Sequence, residues 1–298
     1  MASPTDFLYR IDKRAVRRAF ERAADGYEAA ALLQREVAGR LLARLDYIKL
    51  EARTVLDAGT GTGYALPGLK RRYPQARLVA LDLALNMLRK IETRRGGWRR
   101  FLPGRDPLPE RVCGDLERLP LAGASVDLVW SNLTLQWCND PARVFAEVRR
   151  VLRPGGLFLF TTFGPDTLKE LRQAFAGVDG YVHVSRFIDM HDLGDALVRA
   201  GFADPVMDME FITVAYAEFG QILRDLKAIG AHNATEGRRR GLMGKNQWRQ
   251  AQARYEALRR DGRLPATFEV VYGHAWQRAP RLSAGGRAVI EIRPRRST

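Results

Sequence analysis

The run Thr54-Val55-Leu56-Asp57-Ala58-Gly59-Thr60-Gly61-Thr62-Gly63 joins an apolar stretch to an acidic residue and then to three alternate glycines, after which a helical pattern begins. A strand that turns through glycine into a helix lets a ligand approach the backbone and meet helix N-terminal N–H groups. Without further context the same pattern also describes a plain tight turn. Dinucleotide binding needs a third glycine or alanine three positions after the second. That slot holds Tyr64 counted from Gly59 and Gly61, and Leu66 counted from Gly61 and Gly63. Both registers fail. More acidic residues end apolar runs downstream. Asp82 closes Arg77-Leu78-Val79-Ala80-Leu81, and Asp115 follows Gly114. A carboxylate at Asp82 is placed to accept hydrogen bonds from both hydroxyls of a ribose, or to cap the helix beyond it.

These residues need a scaffold that brings strand ends together. The periodicity predicts a helix over 12–45, a strand at 53–57, a helix at 64–72, strand 77–82, helix 85–95, a loop or insertion at 96–110 and a short strand at 111–114. Strand 125–131, helix 141–152, the Pro154-Gly155-Gly156 stop and strand 157–163 follow. Strands alternating with helices imply an α/β fold, a doubly wound and mostly parallel sheet with ligands at the carboxyl ends of its strands. Asp57, Asp82, Asp115 and the pair Ser131-Asn132 all fall at such ends. Helices are expected at 167–176, 191–200, 217–229 and 246–259. The extended stretches 206–215 and 266–276 are expected to pair as an antiparallel hairpin at the sheet edge. The domain reading is one unit over 1–278, with a lid helix at 12–45, a binding core at 53–163 and a substrate lid with edge strands at 164–278. Residues 279–298 read as a disordered basic tail.

At 298 residues the chain suits one large α/β domain or two small ones. No apolar run approaches a membrane span, and the N-terminus lacks the pattern of a secretory signal, so a cytoplasmic protein is expected. Cys113 and Cys138 are too few for a disulfide framework or metal cluster and read as packed thiols. The formal net charge is +15. Arginines gather in 94–111, in Arg238-Arg239-Arg240 and in the tail. Such a surface either attracts a polyanion or is simply solvated. No zinc finger, aromatic RNA-binding signature or repeat is present, and nucleic acid is not an expected partner.

The Asp-x-Gly-x-Gly-x-Gly pattern resembles the first motif of the seven-stranded S-adenosylmethionine (SAM) methyltransferases. That resemblance implies a Rossmann-like sheet with a helical lid and SAM as cofactor. It also assigns roles. Asp57, Gly59, Gly61 and Gly63 receive the amino-acid end of SAM, and Asp82 takes the ribose. Asn86 and Met87 contact adenine, and Asp115 with Leu116 reads the adenine amino group. Ser131 and Asn132 lie near the reacting methyl.

Four further segments resemble the malonyl-[acyl-carrier protein] O-methyltransferases of biotin synthesis. They are Phe20 to Tyr27 with Leu33-Gln34, Trp130 to Asp140, Phe163 to Leu171 with His183 to Phe187, and Leu226 to Asn233. The resemblance runs from about residue 12 to 277 and implies methyl transfer to a malonyl carboxylate carried on an acidic acyl-carrier protein. A carboxylate titrates near pH ~4 and is already a nucleophile, so the site needs a cation and no base. Arg186 is the expected carboxylate clamp, with His183 as a nearby donor. Tyr27 and Gln34 close over the cofactor from the lid. Gln136 and Trp137 line the substrate wall. The enzyme is expected to act as a monomer with no metal. Open alternatives are an arginine-modifying assembly factor of respiratory complex I, a methyltransferase of a quinone or another small acid, and a non-catalytic nucleic-acid binder on the same frame.

Overall fold

The computed structural model describes residues 4–93 and 108–278. The arginine-rich stretch 94–107 and the tail 279–298, with the expectations attached to them, lie outside the described residues. Seven strands form one sheet: β1 (Thr54–Ala58), β2 (Arg77–Asp82), β3 (Glu110–Cys113), β4 (Val126–Ser131), β5 (Leu152–Phe163), β6 (Phe202–Tyr216) and β7 (Leu264–Gln277). Their order is β3-β2-β1-β4-β5-β7-β6. The first five are parallel. β7 lies antiparallel between β5 and β6, so the expected hairpin is present, with longer strands than the periodicity indicated. No helix among the described residues is long and apolar enough to cross a membrane.

All five residues of β1 are buried. A parallel strand covered on both faces shows a continuous apolar run instead of alternation. The two faces still separate by parity. Val55, Leu128 and Leu157 pack on one side with Leu41, Leu69 and Tyr255. Leu56, Val129 and Phe158 pack on the other with Phe145, Val148 and Leu197. The helices that cover these faces are α4 (Leu32–Arg44), α5 (Leu66–Arg72), α7 (Pro141–Val151), α8 (Lys169–Phe175), α9 (Met190–Arg199) and α11 (Lys245–Glu256), while α6 (Leu85–Thr93) packs beside β2.

The stretch expected as one helix over 12–45 is broken. It contains α2 (Lys13–Ala23), α3 (Tyr27–Ala30) and α4, preceded by α1 (Pro4–Tyr9). Asp12 caps α2 by accepting from the Ala15 N–H at 3.0 Å. The break at Ala24-Asp25-Gly26 turns Tyr27 toward the glycine loop after β1, its ring 3.8 Å from where a Cβ on Gly61 would sit. The remaining helix, α10 (Phe219–Ala228), leads into a loop that runs back along α2. Cys113 is exposed at the end of β3, so it does not pack as a core thiol.

β5 starts at Leu152, so the Pro154-Gly155-Gly156 turn expected before it lies within the strand, and this turn and the segment after β5 are both stapled to neighbouring strands. Asp127 accepts from the Arg53 and Thr54 N–H groups at 2.9 and 2.8 Å and pairs with Arg153 at 2.8 Å. Buried Glu170 accepts from the Thr267 N–H and hydroxyl, and Glu269 accepts from the Asp166 N–H at 2.7 Å.

Two glycines test the packing in opposite directions. A Cβ on Gly273 in β7 would lie 2.3 Å from Phe160 Cζ, whereas one on Gly39 in α4 meets nothing within 4 Å. Gly273→Ala should therefore destabilise by about 1–3 kcal/mol through overpacking. Gly39→Ala should stabilise by roughly 0.5–1 kcal/mol by helix propensity. Thermal or denaturant unfolding of the two variants checks both signs.

Candidate active site

The loop after β1 is shaped by where its glycines sit. Gly59 has φ +80°, and a Cβ there would come within 2.0 Å of Thr134 Oγ1, so the loop packs directly on the exit of β4. The Gly59 and Thr60 N–H groups both donate to the Leu81 carbonyl, at 2.8 and 2.9 Å, fixing the loop across the end of β2. The Gly61 N–H donates to Asp82 Oδ2 at 2.9 Å. Gly59 and Gly61 border a cavity of about 360 Å³, within the range of small-ligand sites. Gly63 does not border it. Its open face serves Leu66 and Ile91, the first of which a Cβ would approach to 2.8 Å. The third glycine is thus needed for folding the turn.

Three carboxyl groups predicted from the strand ends reach the cavity. Asp57 is buried and accepts from the Thr60 hydroxyl at 2.7 Å. Burial pushes its pKa up to about 7, against the Thr60 bond, and nearby Asp82 adds to the rise. Burial likewise raises Asp82 to about 6, against N–H donation from Ala84 and Gly61. Asp82 therefore faces the cavity and turns the chain at Ala84, whereas the first N–H groups of α6, Leu85 and Asn86, donate to Glu21 of α2 at 2.9 and 3.0 Å. Asp115 pairs with Lys13 of α2 at 2.9 Å, and Lys13 also holds Glu117 at 2.6 Å. This ties the lid to the end of β3. Leu116 lines the cavity beside it.

The lid is zipped by backbone bonds. The Asp12 N–H donates to the Ala234 carbonyl, the Glu236 N–H to Arg10 and the Gly237 N–H to Leu8, each at 2.8 Å. The Val182 N–H donates to the Gly237 carbonyl at 3.0 Å. Tyr27, Gln34, Asn132, Gln136, Trp137 and His183 all line the cavity beneath. Asn132 bridges the lid to β5, donating to the Gln34 carbonyl at 3.1 Å and accepting from the Thr161 hydroxyl at 2.9 Å. Gln136 donates to the Leu133 carbonyl at 2.7 Å. Trp137 meets Phe20 edge-on at 5.4 Å. Burial raises the Tyr27 phenol far above its ordinary pKa, with Asp82 and Glu28 adding to the shift, so it stays a neutral group. His183 stacks on Phe175 at 4.2 Å, with Nε2 held 2.8 Å from Asp179. Burial pushes Asp179 up, yet bonds from His183, the Tyr181 N–H and Arg239 outweigh it and hold the carboxyl below its ordinary value.

Four further expected site residues sit elsewhere. Arg186 does not line the cavity. Its guanidinium lies 3.9 Å over the Tyr9 ring, while Ser185 and Phe187 on either side of it face inward. Asn86 turns its side chain to the Glu21 carbonyl at 3.3 Å. Met87 is fully buried in a small core with Ala24 and Ala84. Ser131 is fully buried and donates to the Ala58 carbonyl at 2.9 Å, bracing β4 on β1. Conversely, the cavity wall includes Lys13, Arg35, Leu83, Thr134, His232 and Asn233, which the sequence reading left without a role. Leu83 was reachable as the residue next to Asp82. His232 and Asn233 lay inside a segment already singled out, but with no periodicity to orient them.

The wall chemistry selects its ligand. At the β1–β3 end stand Asp57, Asp82 and Asp115, suited to a cationic, hydroxyl-rich group. Toward β5 and β7 the wall turns apolar, with Phe163, Leu171, Phe175 and Phe268, and carries His183, while His232 and Asn233 come to the cavity from the loop after α10. Three wall atoms, Gln34 Oε1, Trp130 Nε1 and His232 Nδ1, are buried with no hydrogen-bond partner among the described residues. Each such group costs about 1–3 kcal/mol unless a ligand satisfies it. Leu133 and Leu168, both in the wall, are held at φ +50° and +54°, in the left-handed region rare for such residues.

Comparison with known proteins adds a family and a fold. Residues 56–160 match the family model described as "Methyltransferase domain". A malonyl-[acyl-carrier protein] O-methyltransferase of Gallionella capsiferriformans (strain ES-2) is 57% identical over 281 residues, 94% of this chain and 96% of that protein. One from Laribacter hongkongensis (strain HLHK9) is 57% identical over 296 residues, covering 97% and 98%. A third, from Legionella pneumophila, is 40% identical over 272 residues, covering 91% and 93%. Among solved structures, the YcgJ protein of Bacillus subtilis superposes with a TM-score of 0.58 at 13% identity, over 82% of this chain and 98% of that one. A Haemonchus contortus N-methyltransferase, solved with phosphomonomethylethanolamine and S-adenosylhomocysteine, gives 0.51 at 16% identity, over 87% and 57%. At such identities the structures speak to the fold alone, and that fold is the seven-stranded methyltransferase sheet.

The burial of Asp57 has a measurable consequence. In the unfolded chain it ionises near pH ~4, while in the fold it keeps its proton up to about pH 7. The folded state binds the extra proton, so this group's contribution to stability falls as pH rises from about 4 through 7. Asp57→Asn should therefore gain more at about pH 8 than at about pH 5, by at least about 1 kcal/mol, roughly 2–4 °C in melting temperature. Paired thermal melts of variant and wild type at the two pH values check this.

Proposed function

We propose that this chain, which belongs to the malonyl-[acyl-carrier protein] O-methyltransferase family, moves a methyl group from SAM to the free carboxylate of a malonyl thioester on an acyl-carrier protein. The product is the malonyl methyl ester used in biotin synthesis. Within the site, the observation that carries this reading is the Asp179–His183 pair at the apolar end of a cavity whose other end is acidic.

When bound, SAM supplies an electrophilic methyl on a sulfonium. Asp57, Gly59, Gly61, Asp82, Leu83, Asp115 and Leu116 are the residues that would hold it. The free lone pairs of Asp82 accept from ribose hydroxyls, and Asp57 compensates the cofactor's positive charge. Gln34 and Trp130 offer their unpaired polar atoms to the ligand. Tyr27 and the lid exclude water, which strengthens these contacts.

The substrate carboxylate is ionised at neutral pH and is itself the nucleophile. The protein's task is to align it. His183, oriented by Asp179 through Nε2, is the polar side chain of this wall that meets the substrate carboxylate. Gln136, Trp137 and Asn233 shape the remaining wall. The carboxylate clamp first expected at Arg186 passes to His183, because the Arg186 guanidinium is engaged by Tyr9 outside the cavity.

Incubation of the protein with SAM and malonyl-carrier protein, followed by intact-mass spectrometry, tests the reading. It predicts one added methyl that an esterase removes. No added methyl, with SAM binding shown by calorimetry, would reject the substrate. His183→Ala should raise the KM for a malonyl thioester by on the order of tenfold or more, the loss of one charge-assisted bond, with SAM affinity retained. Arg186→Ala should change it by less than about threefold.

A further inference from the structure

The arginine cluster 238–240 does not face outward as a steering surface. Arg238 binds Asp12 at 2.9 Å and Arg239 binds Asp179 at 3.2 Å, both inside the lid, and exposed Arg240 pairs with Glu236 at 3.1 Å. A different basic band remains. Arg14, Arg18 and Arg22 recur every fourth residue of α2, forming one stripe over successive turns. All three are exposed, and among the described residues none is seen in an ion pair. Their neighbour Arg17, in contrast, leans on Glu21 at 3.6 Å.

The position of this stripe ties it to the cavity. The loop after α10 runs antiparallel along α2. At one end, a Cβ on Gly230 would touch the Ala19 backbone at 3.4 Å, and at the other, Ala234 accepts from the Asp12 N–H at 2.8 Å. Exposed Lys227 stands in the last turn of α10, just before this loop. The inner side of α2 gives Lys13, Val16 and Phe20 to the cavity, and the loop gives His232. After burial, the charges of Arg22, Lys227 and Arg238 hold the His232 pKa below its ordinary value. The stripe thus lies on the outer side of a wall one helix and one loop thick.

We propose that Arg14, Arg18 and Arg22 of α2, with Lys227, form the surface on which the acidic carrier of the substrate docks. This rests on the malonyl-carrier reading above. A basic stripe whose nearest carboxylates, Glu21 and Asp25, are engaged by Arg17 and Lys90 complements an acidic protein face and accelerates its encounter. A carrier seated there delivers its thioester arm to a cavity built by the same two segments. A small thioester gains nothing from the stripe.

The test uses the full chain with Arg14→Gln/Arg18→Gln/Arg22→Gln and the corresponding triple Glu variant. Both are assayed on malonyl-carrier protein and on a malonyl N-acetylcysteamine thioester. The KM for the carrier substrate should rise on the order of tenfold in the Gln variant and further in the Glu variant, with its salt dependence flattened. Rates on the small thioester and SAM affinity should be unchanged. An unchanged carrier KM overturns the proposal. So does an equal loss on both substrates with a cooperative melt, which would make the stripe a support of the cavity. So does weakened heparin retention alone, which would assign the stripe to polyanions such as nucleic acid. Wild-type protein that methylates the small thioester without any advantage from the carrier refutes the docking surface and leaves carboxylate methylation standing. Methylation of neither substrate removes the functional reading and the proposal together.

Discussion

Two carboxyl groups packed at the ends of adjacent parallel strands set the terms for the rest of this molecule. Asp57 and Asp82 sit where β1 and β2 stop, under a glycine loop whose N–H groups are already committed to Leu81 and to Asp82 itself. Burial raises both acids toward neutrality, to about 7 and about 6. The fold therefore stores an electrostatic cost at one point, as buried carboxyls do. A ligand that brings positive charge and hydroxyl donors relieves it. The sheet, the loop and the lid are each needed to keep water from relieving it first.

The apolar half of the cavity depends on staples more than on reactive groups. The Phe163-to-Leu171 segment is distinctive in sequence, and the structure explains why in physical terms. Glu170 and Glu269 close a lattice of bonds between this segment and β7, and Gly164 leaves room for the Glu269 carboxyl, which a Cβ would approach to 2.3 Å. This lattice holds Leu168 in a left-handed conformation, its N–H donating to the Thr267 carbonyl at 2.6 Å. Leu133, strained in the same way, is held by Thr161. Both leucines thereby face the cavity. Strain of this kind persists only where the surroundings over-determine it.

Much of this was legible in the sequence, and the exceptions have causes. The alternation of apolar runs and helical stripes placed the parallel strands and their acidic ends because period and burial are tightly linked in a doubly wound sheet. The spacing of Gly59, Gly61 and Gly63 is uniform, but the turn aims only the first two at the cavity. Asn86 and Met87 missed it because the helix that follows Asp82 rotates them away, toward Glu21 and a small core. Arg186 lies in a loop with no repeating period, so its inward neighbours Ser185 and Phe187 could not be separated from it. The break in the lid helix at Asp25-Gly26 was visible as residue types, yet the continuing apolar stripe masked it.

If the cofactor's charge is what relieves the buried acids at the ends of β1 and β2, its binding ionises them. Calorimetric titration of SAM into the protein, in two buffers of different ionisation enthalpy, measures the protons exchanged on binding. It is best done at about pH 6.5, between the Asp82 value of about 6 and the Asp57 value of about 7. Net proton release, reduced in Asp57→Asn, is the predicted result. Binding with no proton exchange, or with uptake, would contradict the account.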